Sequence, residues 1–120
     1  MVLLDTDLMI NFLRKDKSAS KKISELLNQH KLLSTTSLNV AELYFGAYLS
    51  EKKEENITAV NQLVSKLEII SFNHIDGKIY DELRAKLQKK GELINEIDIF
   101  IAAIAIEKDI KVITRNIKTF

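Results

Sequence analysis

The chain has 120 residues, 46% hydrophobic and 29% charged, with a formal net charge of +1; this is one ordinary globular domain with a single core. The absence of cysteine excludes a disulfide framework, a thiolate nucleophile and a cysteine zinc site. No apolar run reaches bilayer length and no basic-then-apolar signal opens the chain, so a cytoplasmic protein away from the membrane is expected.

Val2 to Leu4 is a short apolar run cut off by Asp5, too short for a buried helix and suited to a central parallel strand. Asp5, Thr6 and Asp7 make a polar turn, and Leu8 to Leu13 follows with helical spacing. Ser18 to Gln29 is a second helix, with Ala19, Ile23, Leu26 and Leu27 on one face and His30 closing it, where the dipole favours a base. Lys31 to Thr35 reads as a second strand. The next helix, Leu38 to Leu49, has good caps in Thr36 or Ser37 and is apolar nearly all round. Its polar or small interruptions, Asn39, Glu42, Gly46 and Ser50, fall in one stripe, either a thin solvent edge or the lining of a cleft. A helix so apolar on its other faces is expected to pack against a partner chain.

Glu51 to Glu55 is a charged break, Ile57 to Leu67 an amphipathic helix and Glu68 to Phe72 a third strand. His74 precedes the helix Asp76 to Lys90, which turns Ile79, Tyr80, Leu83 and Leu87 inward and stops at Gly91. Ile94 to Ala105 is the most apolar helix, and Lys111 to Thr114 a fourth strand before a polar turn, Arg115 to Lys118. Alternating strands and helices predict a three-layer α/β/α domain over residues 1–120 with a mostly parallel central sheet.

Asp98 is the only polar residue between Ile97 and Ala105. A helix buried on every side would desolvate that carboxylate unless a cation or several donors met it. The structural alternative is that Asn95 caps the helix and Asp98 bonds back to the cap. In parallel sheets, polar residues at the C-terminal strand ends converge on one crevice. That rule selects Asp5 and Thr6, then Thr35 to Ser37, then Thr114, Arg115 and Asn116, with Glu42 and Asp98 reaching the same edge. Asp5 as a simple helix cap, and Thr114 and Asn116 as turn formers, are the plainer readings. Three carboxylates with hydroxyls and an amide form an oxygen-only set suited to Mg²⁺ or Mn²⁺, and so to metal-assisted phosphoryl transfer. Two basic clusters, Arg14, Lys15, Lys17, Lys21 and Lys22, and Arg84, Lys86, Lys89 and Lys90, read as solvated helix faces. With the three acids neutralised by metal the remaining surface charge is about +4, which favours a phosphate backbone.

The stretches LLDTDLMINFL, TTSLNVAELYFGA and ELRAKLQKKGELINEIDIFIAAIAIEKDIKVITRNIKTF together resemble the PIN-domain family, and within it the VapC-like toxins of VapBC toxin–antitoxin pairs. The resemblance covers nearly the whole chain, and its most specific part is GELINEIDIFIAAIA followed by VITRNIKTF. It implies a Mg²⁺- or Mn²⁺-dependent endoribonuclease that hydrolyses RNA with a metal-activated water. It further implies Asp5 and Asp98 as direct metal ligands, and Glu42 as a ligand through water or a general base. Asn116 would bind or position water, Thr6 and Thr114 would orient neighbouring carboxylates, and Glu96 would be an extra acid. A homodimer and a small VapB-like antitoxin, whose C-terminal arm occupies the cleft, are the implied partners. Asp7 stands where the family often has Asn, and relatives usually continue past the position of Phe120 into a last turn and an edge strand.

Two rivals stand beside this reading. Asp5-Thr6-Asp7 after a strand resembles the nucleophile pair of a haloacid-dehalogenase-type phosphatase, with Ser34 or Thr35 as its second motif. A non-catalytic PIN-like module that binds RNA or a partner is the other.

Overall fold

Each strand of the sheet is three or four residues long and lies where an apolar run meets a polar residue. The computed structural model describes residues 1–29, 31–92 and 95–114. Within them the order is β1 (Val2–Leu4), α1 (Thr6–Leu13), α2 (Lys17–Asn28), β2 (Leu33–Thr36), α3 (Ser37–Leu49) and α4 (Lys53–Val64). Then come β3 (Glu68–Ile70), α5 (His74–Lys89), α6 (Glu96–Lys108) and β4 (Lys111–Ile113). The strands form one parallel sheet in the order β3-β2-β1-β4, with Leu3 opposite Ser34 on one side and Val112 on the other. All four C-terminal strand ends therefore share one edge, as the three-layer expectation requires.

Side-chain alternation along β1 divides the core. Val2, Leu4, Leu33 and Ile113 pack with Leu8, Met9, Ile23, Leu43 and Val60, so α1 to α4 cover one face. Leu3 and Val112 pack with Ile101, Ile104 and Ala105 of α6 on the other. Outside α6, α5 adds Tyr80, whose ring stacks on Phe100 at 4.1 Å, while Phe72 meets Phe100 edge-on at 4.9 Å. Gly91, at φ +72, takes the left-handed position that ends α5.

β2 carries three buried hydroxyls, and each is satisfied. Ser34 Oγ donates to Val2 O (2.7 Å), Thr35 Oγ1 to Leu4 O (2.8 Å) and Thr36 Oγ1 to Asn39 Oδ1 (2.7 Å). The first two tie β2 to β1, so Ser34 and Thr35 are not available as the second motif of a phosphatase. α4 starts at Lys53, not Ile57, because Glu54 and Glu55 sit in its first turn, where acids suit the dipole.

Candidate active site

Asp5 leaves β1 at the sheet edge and N-caps α1, its Oδ1 accepting from the Thr6 amide at 2.9 Å. Capping does not exhaust it, because Asn39 Nδ2 also donates to Asp5 Oδ1 at 3.1 Å. The same amide group donates to Thr6 Oγ1 at 2.8 Å, and Thr6 Oγ1 donates onward to Glu42 Oε1 at 2.7 Å. Asn39 is itself fully buried and held by Thr36: its Oδ1 accepts from Thr36 Oγ1 and, at 3.3 Å, from the Thr36 amide. One chain of hydrogen bonds thus runs from the end of β2 to the ends of α1 and α3, fixing Asp5 and Glu42 relative to each other.

Asp5 is half-buried, and burial, with the charges of Asp7 and Asp98, pushes its carboxyl above the ordinary value of 3.8. The Thr6 and Asn39 hydrogen bonds pull the other way. Asp98 is thereby placed close enough for its charge to act on Asp5, although the two lie in distant segments. The helix around it is buried as expected from Ile99 to Ala105, apart from half-buried Phe100, but Asp98 itself is exposed. The desolvation argued from sequence for Asp98 therefore acts on Asp5. Asn95 caps α6 by accepting from the Ile97 amide at 2.8 Å; Asp98 takes no part in that bond and its carboxylate faces solvent.

Among the described residues no three acids lie close enough to grip one ion directly. Asp5 and Asp98 lie close enough for their charges to interact, and Mg²⁺, which keeps several waters, needs only one or two carboxylates. The raised carboxyl of Asp5 beside two further acids is what a cation would relieve. Glu96 is ion-paired with Arg84 at 3.3 Å, both exposed. Among the described residues the buried Thr114 hydroxyl has no hydrogen-bond partner, and the side chains that hold the carboxylates are Thr6 and Asn39. His30, Arg115, Asn116 and the turn to Lys118 lie outside the described residues.

The polar stripe of α3 lines a cleft and not a solvent edge. Glu42, Gly46 and Ser50 face a groove of about 190 Å³ between α1, α3 and α4, whose other walls include Ile10, Leu13 and Val60. Asn39 was visible in sequence only as one member of that stripe; its partner Asp5 is 34 residues away. Replacing it should therefore be felt twice. Asn39→Ala removes a buried acceptor and two donors, costing roughly 1–3 kcal/mol of stability by urea denaturation. The RNA cleavage that the resemblance implies should fall about a hundredfold in the folded fraction, because both acids lose their positioning.

A fold and acidic rim of this kind define a class, and the match is direct: residues 2–120 fit the family model for the PIN domain. The chain belongs to the PIN-domain family. It is similar to Ribonuclease VapC2 of Rickettsia felis, 35% identical over 118 residues, 98% of this chain and 88% of the relative. It is also similar to the tRNA(fMet)-specific endonuclease VapC of Shigella flexneri, 29% identical over 118 residues with the same coverage of both chains. Among solved structures it resembles VapBC2 from Rickettsia felis bound to a promoter DNA fragment: TM-score 0.87, 33% identity, covering 98% of this chain and 90% of that one. DNA-bound VapBC from Salmonella typhimurium gives a TM-score of 0.85 at 27% identity, covering 97% and 88%.

Proposed function

We propose that this protein is the ribonuclease toxin of a toxin–antitoxin pair, hydrolysing RNA phosphodiester bonds with Mg²⁺ or Mn²⁺ held at the Asp5–Asp98 rim. The observation that carries this reading is the Asp5 carboxyl, raised by burial and by two neighbouring acids while Asn39 and Thr6 hold it in place. Family membership and relatives named as ribonucleases support it.

Asp5 and Asp98 would hold the ion, with Glu42 reaching it through water. A divalent ion bound there supplies a Lewis acid that acidifies water and offsets charge on the leaving oxygen. Glu42, its Oε1 fixed by Thr6, is the base that takes the proton from the attacking water. Asn116 is proposed to position water at the same edge, by family resemblance. No helix among the described residues is long and apolar enough to cross a membrane. Work on RNA in the cytoplasm is part of this proposal.

The partners follow from two surfaces. By the family resemblance, the groove ending at Glu42 is proposed to take the C-terminal arm of an antitoxin, and solved VapBC complexes among the structural relatives support an antitoxin partner. Phe45, Tyr48 and Leu49 stand on the outside of α3, 57–71% exposed, and support a homodimer.

The test is degradation of RNA by the purified protein with Mg²⁺, with Mn²⁺ and with EDTA, beside Asp98→Asn. Cleavage is expected with either ion, and neither in EDTA nor with the variant. Cleavage that persists in EDTA would refute metal dependence. RNA bound but uncut under every condition would leave a binding module.

A further inference from the structure

On the β4 side of Asp5, away from Glu42, lies a second cavity, of about 260 Å³. Leu8 and Asn11 of α1, Asp16, Ser18 and Lys22 around the start of α2, and Thr114 at the end of β4 line it. Strand pairing places it beside the acidic rim, since the Asp5 amide donates to Ile113 O at 2.9 Å and Thr114 is the next residue.

The lining has the chemistry of an anion site. Thr114 is 3% exposed, and among the described residues its Oγ1 has no hydrogen-bond partner, a cost that a native fold rarely leaves without a reason. Lys22 is half-buried against the same space, with no ion pair among the described residues. Asn11 and Ser18 add neutral donors. The one carboxylate in the lining, Asp16, is engaged in capping α2 through the Ala19 amide at 2.9 Å. Lys22 in the lining and Lys17, next to Asp16 in sequence, offset its charge.

We propose that this cavity seats a backbone phosphodiester of the RNA substrate next to the one that is cut, with Lys22 and Thr114 as its principal contacts. The inference rests on the ribonuclease reading and adds a direction to it: the strand crosses the sheet edge from the α3 side, past Asp5, toward β4. Contacts of this type position a strand without reading its sequence. A half-buried lysine and a buried hydroxyl do so more firmly than exposed lysines, because water competes less for them.

The experiment measures binding of a short fluorescein-labelled single-stranded RNA in EDTA, where nothing is cut. Lys22→Ala is expected to weaken binding several-fold on every sequence tried and to lower the salt slope by about 0.7, the value for one contact on a single strand. Thr114→Val should weaken binding without lowering the melting temperature, since no internal hydrogen bond is lost. Asp16→Asn keeps a cap oxygen and should bind more tightly. Replacing single phosphodiesters by uncharged methylphosphonates locates the contact: one linkage beside the cleaved bond should weaken wild type but not weaken Lys22→Ala further. Wild-type affinity and salt slope in Lys22→Ala and Thr114→Val, with wild type binding and cutting RNA normally, would overturn the subsite and leave the ribonuclease reading intact. A wild-type protein that neither binds nor cuts RNA would overturn both.

Discussion

Asp5→Asn should reduce RNA cleavage by at least about a thousandfold, yet without divalent ions at neutral pH it should unfold at a higher temperature than wild type. The substitution removes a charge and little else. Asparagine Oδ1 can still accept from the Thr6 amide and from Asn39, the two bonds that hold the wild-type side chain. Burial and the charges of Asp7 and Asp98 raise the Asp5 carboxyl above 3.8 in the folded chain, so folding favours the protonated form. As pH rises from the unfolded value through the raised folded one, the unfolded chain has already released its proton and the folded chain has not. Stability therefore falls across that window and stays lower above it. The variant has no such window. Thermal melts in EDTA from acid to neutral pH should show the two curves separating in this direction; a variant that loses stability on going to neutral pH would contradict it.

The second large effect is stabilisation by the ion itself. A ligand that binds only the folded chain adds about 2.7 kcal/mol at a hundredfold excess over its Kd and about 4.1 at a thousandfold. Mg²⁺ or Mn²⁺ should therefore raise the melting temperature of wild type by several degrees. The rise should be small or absent in Asp98→Asn, although that side chain is exposed and its loss alone should hardly change stability. An equal rise in both proteins would place the ion elsewhere. A marked loss of stability in Asp98→Asn without metal would return Asp98 to a capping role, against the geometry at Asn95.

The architecture was legible because the strands are short and three of them, β1, β2 and β4, are largely buried. Val2–Leu4 is an apolar run cut off by Asp5, Val112 and Ile113 stand between Lys111 and Thr114, and a helix follows β1, β2 and β3. The boundaries that moved did so for chemical reasons. β2 extends to Thr36 because its hydroxyls find carbonyls on β1 and an amide on α3, a pairing that composition alone assigns to turns. The charged stretch before Ile57 read as a break because a first turn rich in acid looks, residue by residue, like a loop.

The site was less evenly legible. A carboxylate inside an apolar helix drew attention to Asp98, and the strand-end rule to Asp5. Which of the two bears the cost of burial depends on rotation about the α6 axis, and sequence spacing does not fix it. Asn39 was harder still, because its importance lies in bonds to Asp5, Thr6 and Thr36 that only the folded chain brings together. Thr114 and Lys22 belong to segments far apart in sequence, and no local pattern joins them.

Asp5, Glu42 and Asp98 are proposed to share one ion at the sheet edge. Paramagnetic broadening of backbone amide resonances on adding Mn²⁺ tests this directly. It should fade the signals around Asp5 and Thr6, around Glu42 and around Asp98 together and first, with Asp5→Asn abolishing all three. Broadening confined to one of these segments, or centred on another part of the surface, would contradict it.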